Sequence, residues 1–239
     1  MIPTILIFAG LAAFTAGAVL LRTFGPGYRV GRLLSATPAA SVAEASAMAS
    51  AGGPERYVKV TGRIDAETDF EDDAHRPLVF RRTRLESRAG RKWSVIDDRR
   101  EAVAFEVHEG LDAIGIRHTD LDVGLVVLPR ESVGTAADVP DRVAPDTDPA
   151  TAIRLSIQQV SSVEHAIVVG VPSLDAAGRP ILGAGLGRPL ILTTLAADEA
   201  MRVLAGDHPR RPLAVALSLA VGLTLVSVGL VWAVVDYVR

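Results

Sequence analysis

Two uncharged apolar runs bracket a middle region in which hydrophobic and polar positions alternate. Residues 2–21 carry no charge and the run ends at Arg22; a second such run covers residues 212–235. At a rise of about 1.5 Å per residue, about 20 helical residues cross a hydrocarbon core of about 30 Å. The pattern therefore predicts transmembrane helices at 2–21 and 212–235. Pro212 suits a first helical turn, and Trp232 and Tyr237 sit near the far end, as interfacial aromatics do. Ala16-Gly17-Ala18 has the small residues of a signal-peptide cleavage site, but no Lys or Arg precedes the run. A signal peptide has a basic leader, so the run reads as a retained anchor.

Between the runs the period changes twice. Residues 33–53 are rich in Ala and Ser, and Ser41-Val42-Ala43-Glu44 fits a capping box that opens a short helix ending before Gly52-Gly53-Pro54. From Tyr57 onward, β-rich runs alternate with Asp- and Gly-rich breaks: 57–64, 77–85, 92–96, 102–107, 113–117, 124–128, 153–160, 164–171, 179–182 and 189–193. Residues 139–151, with three prolines and three aspartates, read as a surface loop. A helix at 196–204 closes a domain spanning 55–205. The predicted fold is a mainly β soluble domain, a small barrel or sandwich, flanked by two transmembrane α-helices.

Charge orients this plan. Arg22, Arg29 and Arg32 follow the first run, and Arg210 and Arg211 precede the second. Basic flanks stay on the cytoplasmic side, so the expected arrangement is a two-pass membrane protein with its central domain in the cytoplasm. The mean hydropathy, +0.31, suits a few spans plus a polar domain. With 25 basic and 28 acidic residues the net charge is −3, which argues against bulk capture of nucleic acid. There is no cysteine, so disulfides, thiol catalysis and cysteine-ligated metals are excluded.

Chemistry-bearing motifs are sparse. The histidines are His75, His108, His118, His165 and His208, with no metal-binding helical spacing among them. Glu106, His108, Glu109, Asp112, His118, Asp120 and Asp122 form the best metal candidate, but strand alternation already explains the inward Phe105 and Val107. The expectation is a solvated acidic turn, with no metal and no cofactor. Gly183-Ala184-Gly185-Leu186-Gly187 precedes another β run and no helix, so it reads as a hairpin connection, not a phosphate loop. Phe80-Arg81-Arg82-Thr83-Arg84 is the densest basic stretch. Period-two geometry puts Arg82 and Arg84 on one face, and with Arg91 these are the candidate contacts for anionic lipid or a partner protein. No nucleophile elbow or Walker loop occurs, and no catalytic residue is assigned.

The order of motifs resembles the GIDE, or beside-a-membrane, domain of mitochondrial-type RING E3 ubiquitin ligases and their prokaryotic relatives. The stretches that carry the resemblance are Tyr57-Val58-Lys59-Val60-Thr61-Gly62-Arg63-Ile64, Pro77-Leu78-Val79-Phe80, Trp93 and Phe105-Glu106-Val107. In the second half they are Val163-Glu164-His165-Ala166-Ile167-Val168-Val169-Gly170 and Arg188-Pro189-Leu190-Ile191-Leu192-Thr193-Thr194. The resemblance implies a β domain held between two spans. RING zinc sites need cysteine, so it implies no ligase chemistry in this chain. In the ligases the domain faces the space between the mitochondrial membranes, which opposes the orientation read from flanking charge. The leading expectation is a membrane-tethered, non-enzymatic interaction module contacting the lipid bilayer and a protein partner. An accessory subunit of a ubiquitin-like modification system and a membrane hydrolase with a spatially assembled triad are the alternatives.

Overall fold

Backbone hydrogen bonding in a computed structural model defines the elements, and residues 2–22, 26–90, 92–205 and 211–238 are described. In chain order they are α1 (Ile2–Arg22), α2 (Pro26–Ala36), α3 (Val42–Ala51), β1 (Val58–Asp65), β2 (Phe70–Glu71), β3 (Pro77–Ala89), β4 (Lys92–Ala102), β5 (Glu106–Glu109), β6 (Asp112–Ile116), β7 (Leu125–Val126), β8 (Arg130–Thr135), β9 (Ala152–Ser161), β10 (His165–Leu174), β11 (Pro180–Gly183), β12 (Ile191–Thr193), α4 (Ala197–Ala205) and α5 (Arg211–Val238). They divide into two units: the two chain ends, Met1–Arg29 with Leu204–Arg239, and the body, Val30–Val203.

In the first unit α1 and α5 pack along each other. Gly10 faces Gly222 and Val226, and Gly17 faces Ser218 and Leu219, so the pair is antiparallel. A Cβ on Gly10 would lie 2.8 Å from the Gly222 carbonyl oxygen, and one on Gly222 would lie 2.8 Å from the Phe14 nitrogen. Glycine lets the two backbones approach this closely, the packing used by helices in lipid. The outward faces remain apolar, with Phe8, Leu11, Leu223 and Val231 exposed. Among the described residues one helix is long and apolar enough to cross a membrane: Val215–Trp232 has mean hydropathy 2.2 and is 17% buried, unlike a core helix. The other expected span, 2–21, is helical, but its described apolar stretch is the shorter Ile5–Val19. Among the described residues, length and apolarity thus mark one helix able to cross a membrane where the sequence pattern predicts two.

The body is built on a closed five-stranded barrel in the order β1-β5-β6-β11-β10, with β10 returning to β1. All neighbours are antiparallel except β6 and β11, where Gly115 pairs with Ile181 and Ile116 with Leu182 in parallel. Ranked along the chain the barrel strands run 1-2-3-5-4-1, a Greek-key order. Alternation in β1 sends Val58, Val60 and Ile64 inward, with the intervening residues half-buried or exposed. Gly62 sits where a Cβ would be 2.3 Å from the His108 carbonyl oxygen, so β1 and β5 meet only because that side chain is missing.

Helix α3 contacts all five barrel strands and buries Val42 and Ala45 in the same core as Val60, Val107, Ile114, Val168 and Leu182. The predicted capping box starts it: Glu44 N donates to Ser41 Oγ at 3.1 Å and Ser41 N donates to Glu44 Oε2 at 2.9 Å. Gly52, at φ 59°, ends it in the left-handed conformation that favours glycine.

Two insertions, 66–105 and 117–164, leave the barrel and, except for β7 of the second insertion, which pairs in parallel with β12 beside β10, join as a second sheet, a half-barrel. Its strands run β4-β3-β9-β8, all antiparallel, with β2 pairing the start of β3. Val79, Phe80 and Val160 root this sheet in the barrel core, while Leu85, Ala136 and Ile153 form a separate cluster farther out. The sequence breaks differ from the structural ones here. The expected runs 92–96 and 102–107 become β4 and, after a short gap, β5, because Asp97-Asp98-Arg99-Arg100 continues the strand as a charged ladder opposite Arg82–Leu85. Strand β8 was not expected, since its residues are exposed almost throughout and show no apolar alternation.

Candidate functional site

The half-barrel carries the basic stretch. Pleating sends Phe80, Arg82 and Arg84 to one face of β3, with Phe80 in the core. Arg82 is buried and fully committed: Nε donates to Asp98 Oδ1 at 2.8 Å, Nη2 to Asp98 Oδ2 at 2.6 Å, and Nη1 to Asp122 Oδ1 at 3.0 Å. These bonds hold the Asp98 carboxyl below its ordinary range and raise the Arg82 guanidinium, each outweighing the opposing effect of burial. Arg100 shares Asp122 at 2.8 Å. Arg84 is partly exposed and reaches Asp98 only at 3.5 Å, and its buried Nε has no hydrogen-bond partner. Arg91 lies outside the described residues. The structure therefore brings Arg82 and Arg84 together around Asp98, and leaves only Arg84 with an open guanidinium.

A second basic surface joins Arg81 and Thr83 of the basic stretch to arginines that the sequence did not single out. Arg81, Thr83, Arg99, Arg100, Glu101 and Arg142 line a depression of about 530 Å³. Arg81 pairs with Glu101 at 2.5 Å, while Arg99 and Arg142 share Asp97 at 2.9 and 2.8 Å. Asp97 is held below its ordinary range chiefly by its hydrogen bond from Arg142. The adjacent Asp-Asp and Arg-Arg pairs of 97–100 were the available signal, because alternation sends successive charges to opposite faces.

The barrel carries an acidic cleft of about 400 Å³ between the connections that follow β1 and β10. Asp65, Glu67, Glu106 and Asp175 rim it with His108 and Arg179, over a floor that includes Phe105 and Ile116. His108 Nε2 lies 3.5 Å from Glu106 and 3.9 Å from Asp65. A carboxylate rim of this kind repels a phosphate backbone.

The acidic residues of the metal candidate disperse. Glu109 accepts from Val42 N at 2.8 Å, Asp120 from Ala184 N at 2.8 Å, and Asp122 serves the two arginines. Among the described residues no group of three or more ligating side chains is placed to hold a metal ion. Nor does any serine or threonine hydroxyl among them bond a histidine; His75 pairs with Glu71 at 2.6 Å. His208 lies outside the described residues.

The glycine segment forms a tight hairpin. Gly185 N donates to Arg188 O at 3.2 Å and Arg188 N to Gly185 O at 2.9 Å, with φ of 55° at Leu186 and 67° at Gly187. Both central residues are left-handed, as a two-residue hairpin turn requires. The Arg188 guanidinium lies 5.3 Å over the Tyr57 ring, and the Tyr57 hydroxyl donates to Pro189 O. Burial pushes that hydroxyl up to about 12, against the lowering effect of Arg188.

No family model, no curated protein and no solved structure matches this chain.

Proposed function

We propose that this protein is a membrane-tethered, non-catalytic interaction module of the GIDE type, in which α1 and α5 both cross the bilayer and the β body faces the cytoplasm. The observation that carries the reading is α5, apolar around its circumference and 17% buried over Val215–Trp232. Such a helix is at home in hydrocarbon, where its backbone is satisfied internally and its side chains need no water. The glycine-mediated packing of α1 against it supports a second crossing, and Arg22, Arg29, Arg32, Arg210 and Arg211 support the orientation. The body offers two charged surfaces of opposite sign, the depression around Arg81 and Arg142 and the cleft around Glu106, which suit recognition of a protein partner. The partly exposed Arg84 remains a candidate contact for lipid or partner.

Crosslinking of the full chain in its native membrane, followed by affinity recovery, tests the module reading. A reproducible crosslinked protein or lipid is the expected result, and recovery of the chain alone would sink it.

A further inference from the structure

We infer that the depression on the half-barrel lined by Arg81, Arg99 and Arg142 binds a small, soluble, phosphate-bearing anion. This inference deepens the partner-surface reading above, on which it rests, by naming what enters the depression itself. Its starting point is an imbalance of charge. On the face of the depression Arg81, Arg99 and Arg142 share two carboxylates, Glu101 and Asp97. On the other face of the same hairpin Arg82, Arg84 and Arg100 share two more, Asp98 and Asp122. Each group carries one guanidinium in excess, although the chain as a whole has a net charge of −3. Clustered cations of this kind raise the local potential, and an anion seated among them lowers it.

The ion pairs leave donors over. Arg81 and Thr83 on β3 stand opposite Glu101 and Arg99 on β4, and pleating puts all four on one face. Asp97 accepts from Arg142 Nε at 3.2 Å and Nη2 at 2.8 Å, and pairs with Arg99 Nε at 2.9 Å. One carboxylate thus holds two guanidiniums in place, while Nη1 of Arg142 and both Nη groups of Arg99 are not spent on it. Arg81 gives Nη2 to Glu101 and is steadied by the Phe70 ring, 5.5 Å from its guanidinium. Guanidinium forks held in place match phosphate oxygens two at a time. The lining narrows the ligand further. Among the described residues only charged side chains and Thr83 line the depression of about 530 Å³. A nucleotide base needs a stacking surface, and an acyl chain or a peptide anchor needs an apolar one. The ligand that fits is hydrophilic throughout, as pyrophosphate, short polyphosphates and polyol phosphates are.

Calorimetric titration of the full chain in non-ionic detergent micelles, at about 0.15 M salt to screen distant charges, tests this. The probes are pyrophosphate, citrate as a carboxylate of similar charge, and a glycine-flanked phosphoserine peptide. The expected result is saturable binding of pyrophosphate, about tenfold or more tighter than that of citrate. Arg99→Gln should weaken it by about tenfold or more, the worth of a charge-assisted hydrogen bond. The Arg99 side chain is 68% exposed, so its loss should leave the melting midpoint in place. Arg81→Gln repeats the test from the neighbouring strand. Arg130→Gln on β8 makes the same charge change outside the depression, and affinity should stay within about twofold. No saturable binding of pyrophosphate, an equal loss in the Arg99 and Arg130 variants, or citrate bound as tightly would each overturn the inference. A phosphoserine peptide bound more tightly than pyrophosphate overturns the small-molecule source. All four outcomes leave the module reading to the crosslinking test above, which does not involve the anion.

Discussion

Replacing Arg82 by methionine keeps most of the side-chain stem and removes the guanidinium. The change deletes two charge-assisted hydrogen bonds to Asp98, at 2.8 and 2.6 Å, and one to Asp122 at 3.0 Å. It strands Asp98, which keeps an ion pair only with Arg84 at 3.5 Å, whereas Asp122 keeps Arg100 at 2.8 Å. Breaking one side of a fully buried pair costs about 3–5 kcal/mol. The Asp98 side chain is 27% exposed and that of Asp122 54%. Water therefore recovers part of the loss, and about 2–3 kcal/mol should remain. For a body of this size that lowers the melting midpoint by roughly 5–10 °C. Thermal unfolding of the full chain in detergent micelles, followed by circular dichroism in the strand band, measures it. Arg84→Met is the comparator and should fall within about 0.5 kcal/mol of the parent. An Arg82→Met protein that melts like the parent but loses vesicle or partner binding would refute the reasoning, because the guanidinium would then serve a ligand and not the fold.

Three further outcomes are expected. Gly124→Ala should destabilise the body by about 3 kcal/mol or more, since its Cβ would lie 1.9 Å from the Leu190 carbonyl oxygen. Backbone cannot yield that distance without breaking the pairing of β7 with β12; urea midpoints test this, and an unchanged midpoint would contradict the packing. Leu186→Gly should raise stability in micelles by about 1 kcal/mol by releasing the left-handed strain, and a lower melting midpoint would oppose that account. Acid should weaken the body. Asp72, Asp138 and Asp175 are held low chiefly by backbone N–H donors, and Asp97 and Asp98 by arginine hydrogen bonds. Their depressed folded values mean a contribution fully present above the unfolded value of about 3.9 and lost as pH falls through the folded values. Melting midpoints should therefore hold from neutrality to about pH 5 and drop below about pH 4; a midpoint that rises on acidification would reverse the sign.

Local features were legible because their physics is local. Ser41 and Glu44 lie three residues apart and cap α3 as their spacing predicts. The turn at 185–188 follows from its glycines, although only the structure shows that Leu186 takes a left-handed position. The barrel was half legible. Alternation marks β1, but closure depends on the parallel pairing of β6 with β11 and on two insertions that combine into one sheet, and no periodicity records either. The arginine site shows the same limit. Strand spacing puts Arg82 and Arg84 on a common face, yet the partners that fix Arg82 are 16 and 40 residues away. The depression around Arg142 was hidden for the same reason, since that arginine reaches Asp97 from 45 residues along the chain.

The central claim is that both chain ends hold the body in a membrane, and alkaline extraction of truncated forms tests it most directly. Three forms are compared with the full chain in isolated membranes: one lacking residues 1–25, one lacking 206–239, and one lacking both. Two anchoring helices predict that the full chain and each singly truncated form stay in the membrane pellet, while the doubly truncated body is released. Release of the full chain, or of the form that keeps only α1, would contradict the account.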